Sequence, residues 1–191
     1  MRVDRNRWDE KYKVEKNAPG EKANAFLRKH IRMLPKGQAL DIATGEGRNA
    51  VFLAEHGFDV EAVDISKVGL RKARKLARAH RVKIKTYLAD LDIYPIPKER
   101  YVLITDFYFL DRRLIPRIKK ALKPGGRIVF ETYLVGQRSL GMGGPRHSQY
   151  LLQPNELLRL FKDFRVLFYR EGIFREDGSR KALASLIAEK V

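Results

Sequence analysis

The sequence predicts an α/β three-layer sandwich: a mostly parallel seven-stranded sheet with helices on both faces and an antiparallel hairpin at its C-terminal end. Three observations lead there. Apolar, strand-like runs alternate with helix-length segments along most of the 191 residues, and such alternation implies parallel strands joined by right-handed crossovers. The stretch Ala39 to Asn49 reads as a buried strand that runs into a glycine-hinged turn and then opens a helix. The chain ends in two apolar segments, 164–174 and 181–191, split by Glu176-Asp177-Gly178-Ser179, which is a hairpin pattern.

Taken in order, the first element is a helix over 21–33, part of a helical N-terminal cover over 1–35. Within it Trp8 and Tyr12 stand four apart on one helical face, either as a hydrophobic staple that fastens the N-terminus or as a cover over a ligand. A strand over 39–43 and a helix over 48–56 follow, then a strand over 59–64 and a helix over 68–80. The inward face of that second helix is Gly69, Ala73, Leu76, Ala77 and His80. A strand over 83–88, a short linking segment through Ile96 and a strand over 101–106 come next. A helix over 112–122 is stopped by Leu122-Lys123-Pro124-Gly125-Gly126, ahead of a strand over 127–131. The irregular stretch 134–153 carries four glycines, is long for a connection in a compact fold, and is a candidate substrate loop. A helix over 155–161 and the hairpin complete a single domain over 1–191.

Ligand in such a sheet sits past the carboxyl ends of the strands, where Asp41, Asp64, Asp90 and Asp106 all fall. Gly45 and Gly47 let the turn after the first strand pass close beneath a small molecule, and the first free N–H groups of the next helix would face the same ligand. Gly45-x-Gly47-x-x-Ala50 by itself also fits a dinucleotide fingerprint, with Asp64 near the spacing of a ribose-binding acid. Asp41 shifts the reading. It is a carboxylate four positions before Gly45, where a nicotinamide site has an apolar residue or another glycine, and it suits S-adenosylmethionine (SAM), whose ammonium and sulfonium are both cationic.

With D-x-A-x-G-x-G-R-N at 41–49, the acidic strand end at Asp64, the Ala89-Asp90 step and the L-K-P-G-G turn, the chain resembles the class I SAM-dependent methyltransferases from about Trp8 to its end. Trp8-Asp9-x-x-Tyr12 is similar to the N-terminal box of the small group that holds the tellurite-resistance and thiopurine methyltransferases. A second stretch, Pro145 to Leu157, is similar to a segment after the fifth strand in members of that group, with Ser148 where a proline is expected. The resemblance implies a Rossmann-like fold and SAM as cofactor. It places Asp41, Ala43, Gly45, Gly47, Arg48 and Asn49 in the cofactor loop, Asp64 and Ile65 at the ribose, Asp90 and Leu91 at the adenine, Asp106 beside them, and Trp8 and Tyr12 as cover. Asp41 could equally cap the turn, and Asp64 could cap the following helix.

Composition narrows the chemistry. With no cysteine, disulfides, thiolate zinc sites and a cysteine nucleophile are excluded. The four histidines have no metal-ligand spacing, so no metal is expected. The N-terminus has no apolar leader and no run spans a membrane; a cytoplasmic protein, monomeric or homodimeric, is expected. The net charge of +17 raises nucleic acid as a partner, but the basic run over 67–85 reads largely as the solvated face of one helix. The expected reaction is methyl transfer to a small-molecule acceptor, with an RNA, another anionic macromolecule or a non-catalytic binding role as alternatives. If the acceptor needs a base, Asp106, His147 and Tyr150 are the candidates.

Overall fold

The computed structural model describes residues 2–14, 22–141, 143–145, 147–176 and 178–191. Its seven strands form one sheet in the order β3-β2-β1-β4-β5-β7-β6. They are β1 (Gln38–Ile42), β2 (Asp59–Asp64), β3 (Lys85–Leu88), β4 (Tyr101–Phe107), β5 (Leu122–Tyr133), β6 (Phe164–Glu176) and β7 (Ser179–Lys190). The first five run parallel, and β7 lies antiparallel between β5 and β6. This is the mostly parallel, Rossmann-like sandwich that the sequence predicts.

Alternation along the strands divides the core. Leu40, Ile42 and Ile104 point to one face, where Ile115, Ile118 and Ala121 of α5 (Ile115–Ala121) and Leu157 of α6 (Glu156–Leu160) cover them. Ala39, Val60, Ala62 and Leu103 point to the other, under α2 (Ala25–His30) and α3 (Arg48–Glu55). Because both faces are buried, the central strands are apolar at nearly every position. Helix α4 (Lys67–Ala79) packs beside α3 and buries Val68, Gly69, Leu70, Ala73 and Ala77, while α1 (Arg2–Val14) lies on α4.

Three elements differ from expectation, each for a local reason. Helix α2 starts at Ala25 because Asn24 caps it, its Oδ1 accepting from Phe26 N at 2.7 Å and Leu27 N at 3.3 Å; residues 15–21 lie outside the described ones. The helix expected over 112–122 is a 3-10 turn, Arg112–Leu114, followed by α5 with a proline in its first turn. The L-K-P-G-G turn is an excursion inside β5: Tyr101 pairs with Leu122 and Leu103 with Arg127, so four residues bulge out between them. Gly126 has no room for a side chain there, since a Cβ would lie 2.8 Å from Lys123 O and 3.0 Å from Tyr101 O.

At the amino ends of the strands a buried acid ties four of them together. Glu61 of β2 accepts from Tyr101 of β4 at 2.7 Å, Gln38 of β1 at 3.1 Å and Tyr87 of β3 at 3.3 Å, and pairs with Arg100 at 2.6 Å. Among the described residues no helix is long and apolar enough to cross a membrane.

Candidate active site

The carboxyl ends of β1, β2 and β4 open into a cavity of about 1240 Å³. Its cofactor-side floor is the loop after β1, whose backbone turns left-handed at Ala43 (φ 49°), Gly45 (φ 57°) and Gly47 (φ 83°). For Ala43 that conformation costs about 1–2 kcal/mol. It is held in place through its neighbour: Thr44 N donates to Val63 O at 3.0 Å, and Thr44 Oγ1 donates to Asp41 at 2.5 Å.

Asp41 therefore works from below. It is buried, accepts a second hydroxyl from Thr105 at 2.6 Å, and does not line the cavity. Burial pushes its carboxyl up to about 6, partly offset by the two hydroxyls. Through Thr44 it is tied to the loop expected to hold the cofactor. Asp106, expected as a cofactor residue and as a candidate base, lies near the end of β4. It too is buried off the cavity, and its Oδ1 has no hydrogen-bond partner. Burial, reinforced by the nearby Asp41 charge, raises its pKa well above the ordinary carboxylate range. Strand alternation explains this placement: Asp106 sits on the same side of β4 as Ile104, on the face covered by α5. Gly47 likewise lies off the cavity. A Cβ there would come within 2.5 Å of Ala73 Cβ, so the glycine lets α3 begin against α4.

Asp64, at the end of β2, does face the cavity. Its Oδ2 accepts from Gly45 N at 2.7 Å and its Oδ1 from Ser66 N at 2.8 Å, and Ile65 N also bonds the carboxylate, which with about four acceptor sites keeps capacity for a ligand. Burial raises its pKa. The cap of α4 is Ser66, which accepts from Gly69 N at 3.0 Å. Asp9 of α1 joins it, accepting from Ser66 Oγ at 2.5 Å and Val68 N at 3.1 Å. The N-terminal box thus fastens α1 across the start of α4. Trp8 and Tyr12 stack at 5.7 Å, line the cavity, and set the Tyr12 ring against Gly45 and Gly69, so staple and cover are one arrangement. Ala43, Arg48, Asn49, Ile65, Asp90 and Leu91 also line it, and Asp90 is turned by a bond from Asp92 N at 3.0 Å.

The far half of the cavity is aromatic and cationic. Tyr108, just past β4, Tyr133 at the end of β5, Lys181 of β7, and His147 and Tyr150 of the 134–153 stretch line it. Both ends of that stretch are fixed: Leu134 bridges to Leu152, and buried Gln137 accepts from Ala182 N at 2.8 Å. Arg112 anchors the return, donating to Gln149 O at 2.6 Å and Leu151 O at 2.9 Å while paired with Glu156 at 2.6 Å. His147 and Tyr150 meet edge to face at 6.5 Å and are both exposed.

Against known proteins, residues 39–126 match the family model of a methyltransferase domain. The chain's central region is thus similar to a methyltransferase domain. The chain is 27% identical over 164 residues to a probable S-adenosyl-L-methionine-dependent methyltransferase TehB of Haemophilus influenzae, covering 80% of this chain and 57% of that one. It is 31% identical over 123 residues to a probable thiol methyltransferase of Arabidopsis thaliana, covering 60% and 53%. The crystal structure of TehB from Haemophilus influenzae superposes with a TM-score of 0.75 at 21% identity, over 88% of this chain and 63% of that one. The chain spans somewhat over half the length of these curated relatives.

The two basic runs serve different ends. Arg71, Arg74 and Arg78 are exposed on the outer face of α4, whereas Lys72 pairs with Glu46 at 2.5 Å and lines the cavity with Lys75. The run from Arg112 is structural: Arg113 pairs with Asp92 and Asp111, and Arg117 donates to Leu91 O at 2.6 Å and to Tyr94 O. Sequence reasoning missed Thr44, Thr105, Tyr108, Tyr133 and Lys181. Only Thr44 lay beside a recognised motif; Tyr133 and Lys181 enter through strand pairing, which no local spacing reveals.

Proposed function

We propose that this protein transfers the methyl group of SAM to a small-molecule acceptor held in the cavity. The reading rests on one observation. A single cavity has, at one end, a left-handed backbone loop with the buried carboxylate of Asp64 aimed into it and, at the other, a chamber of aromatic and basic side chains, with α1 lying across the mouth. The cofactor end fits SAM. Asp64 keeps acceptor capacity for ribose hydroxyls, Ile65 and Leu91 supply apolar walls beside Asp90 for the adenine, and Gly45 presents bare backbone beneath the Tyr12 ring.

SAM supplies an electrophilic methyl on a sulfonium. The protein's part is to hold the acceptor in line with it and to exclude water, which proximity and desolvation favour. Residues 1–35 act as cover and 134–153 as the acceptor loop of one domain over 1–191. His147 and Tyr150, expected as candidate bases, line the acceptor end in this reading. Nucleic acid is not favoured, because the second basic run is spent on carbonyls and carboxylates of its own domain and the first is divided between the outer face of α4, at Arg71, Arg74 and Arg78, and the cavity wall, at Lys72 and Lys75. Calorimetry with SAM, followed by S-adenosylhomocysteine release across a thiol panel and bulk RNA, tests the assignment. Turnover of RNA alone would replace it.

A further inference from the structure

Tyr108 is held in a way that a wall residue does not require. Its backbone is left-handed at φ 61°, a strained conformation for a side chain of this size, and is pinned by Tyr108 N donating to Glu131 O at 2.8 Å. Its phenol oxygen receives two donors that cannot accept, Asn24 Nδ2 at 3.3 Å and Lys181 Nζ at 3.5 Å. Lys181 also stands 5.3 Å from the ring centroid, and the Arg48 guanidinium carbon 5.9 Å. Its ring lies 5.1 Å from that of Tyr133. Because Ile42 pairs with Asp106 and Phe107 with Glu131, Tyr108 sits beside the cofactor loop on one flank and the end of β5 on the other, where the two halves of the cavity meet.

Resting on the methyltransferase reading, we propose that Tyr108 is the catalytic base, its phenolate form favoured by Lys181 and Asn24, for an acceptor that arrives protonated, such as a thiol whose own pKa lies above the working pH. In this step the proton on the acceptor's nucleophilic atom moves to the Tyr108 oxygen. The electron pair left behind forms the new bond to the methyl carbon, and the pair of the methyl–sulfur bond stays on sulfur. No further reactant is needed.

The charged and titratable groups around Tyr108 come from six segments of the chain. Lys181 from β7 and Arg48 from α3 favour the phenolate. Glu131 of β5 opposes it from behind Asn24, whose Nδ2 it accepts at 2.7 Å, but Ser185 at 2.6 Å and Arg170 of β6 at 3.2 Å already bind that carboxylate. Asp106 of β4, two residues back, is held towards its neutral form by burial. His147 lines the same chamber from the 134–153 stretch.

Two measurements test the proposal. Ultraviolet titration of the protein without SAM is expected to show one tyrosinate forming clearly below the ordinary range near 10. That signal should be lost in Tyr108→Phe and moved upward in Lys181→Met. A parent in which no tyrosine ionises early overturns the proposal without any turnover being needed. In steady-state assays, Tyr108→Phe should lower kcat by about 100-fold with an alkyl thiol but change it less than about threefold with an aromatic thiol already ionised at pH 7. Equal losses with both thiols would make Tyr108 a positioning residue and overturn its role as base. Failure of the parent to bind SAM by calorimetry would overturn the methyltransferase reading itself, a result distinct from either of the others.

Discussion

The half of the cavity proposed for the cofactor is made by one continuous stretch of backbone and a carboxylate that braces it, whereas the half proposed for the acceptor is made by side chains that arrive from β5, β7, the residue after β4 and the 134–153 stretch. Main-chain atoms in the first half are placed by φ angles and by bonds such as Gly45 N to Asp64 at 2.7 Å. Side chains in the second depend on strand register and on rotamers. The difference teaches where each half can fail. A changed backbone conformation disturbs folding and cofactor binding together, while a changed side chain in the far half alters which acceptor is used.

The strongest way to break the backbone-built half is Gly47→Val. It combines a left-handed conformation at a β-branched residue with a Cβ 2.5 Å from Ala73 Cβ, and roughly 2–5 kcal/mol of stability should be lost. Denaturant unfolding measures this, and a variant as stable as the parent would refute the packing role given to Gly47. Asp64→Ala comes next, weakening SAM binding by about 1.5–3 kcal/mol as charge-assisted bonds are lost; unchanged affinity by calorimetry would remove Asp64 from the ribose site. Gly45→Ala should cost less stability than Gly47→Val, about 1–2 kcal/mol, because what its Cβ meets at 2.6 Å is the far end of the Tyr12 side chain. Faster amide exchange confined to α1 would show that the cover, not the core, has yielded.

Asp41 and Asp106 are buried carboxyls off the cavity, whereas Asp64 faces it. Both have raised folded-state pKa values, so the native state binds more protons than the unfolded one above about pH 4. Stability from Asp41 should fall as pH rises from about 4 through about 6. Asp106→Asn, which mimics the neutral form, should raise the melting temperature at pH 8 relative to the parent and leave it nearly unchanged near pH 4. The smallest effect belongs to the outer face of α4. Reversing Arg71, Arg74 and Arg78 to Glu should leave SAM affinity and small-acceptor turnover within about threefold, since exposed charges interact weakly through solvent. Loss of a salt-resistant, site-specific RNA methylation on reversal would instead favour a macromolecular acceptor.

Much of the first half was legible in the sequence because its determinants are contiguous. The alternation of strands and helices set the sheet, and the glycines at 45 and 47 with Asp64 marked the loop. The burial of Asp41 and Asp106 off the cavity was not legible for a shared reason: an acidic residue at a strand end looks the same whether its side chain faces the cavity or the underside. For Asp41 the deciding partner, Thr105, lies in another strand. Tyr108 and Lys181 are 73 positions apart and meet because β7 inserts between β5 and β6. No periodicity within either segment encodes that meeting.

The Glu61 cluster gives the sheet two unlike ends. Where β1, β2, β3 and β4 begin, one carboxylate clasps a side chain from each of the other three strands, so their spacing is set there by side chains as well as by the ladder. A fan riveted at its handle can open or crease at its rim without its ribs sliding past one another. The creases at Ala43 and Tyr108, both left-handed and both at the rim, are then local deformations that the remainder of the sheet does not have to follow.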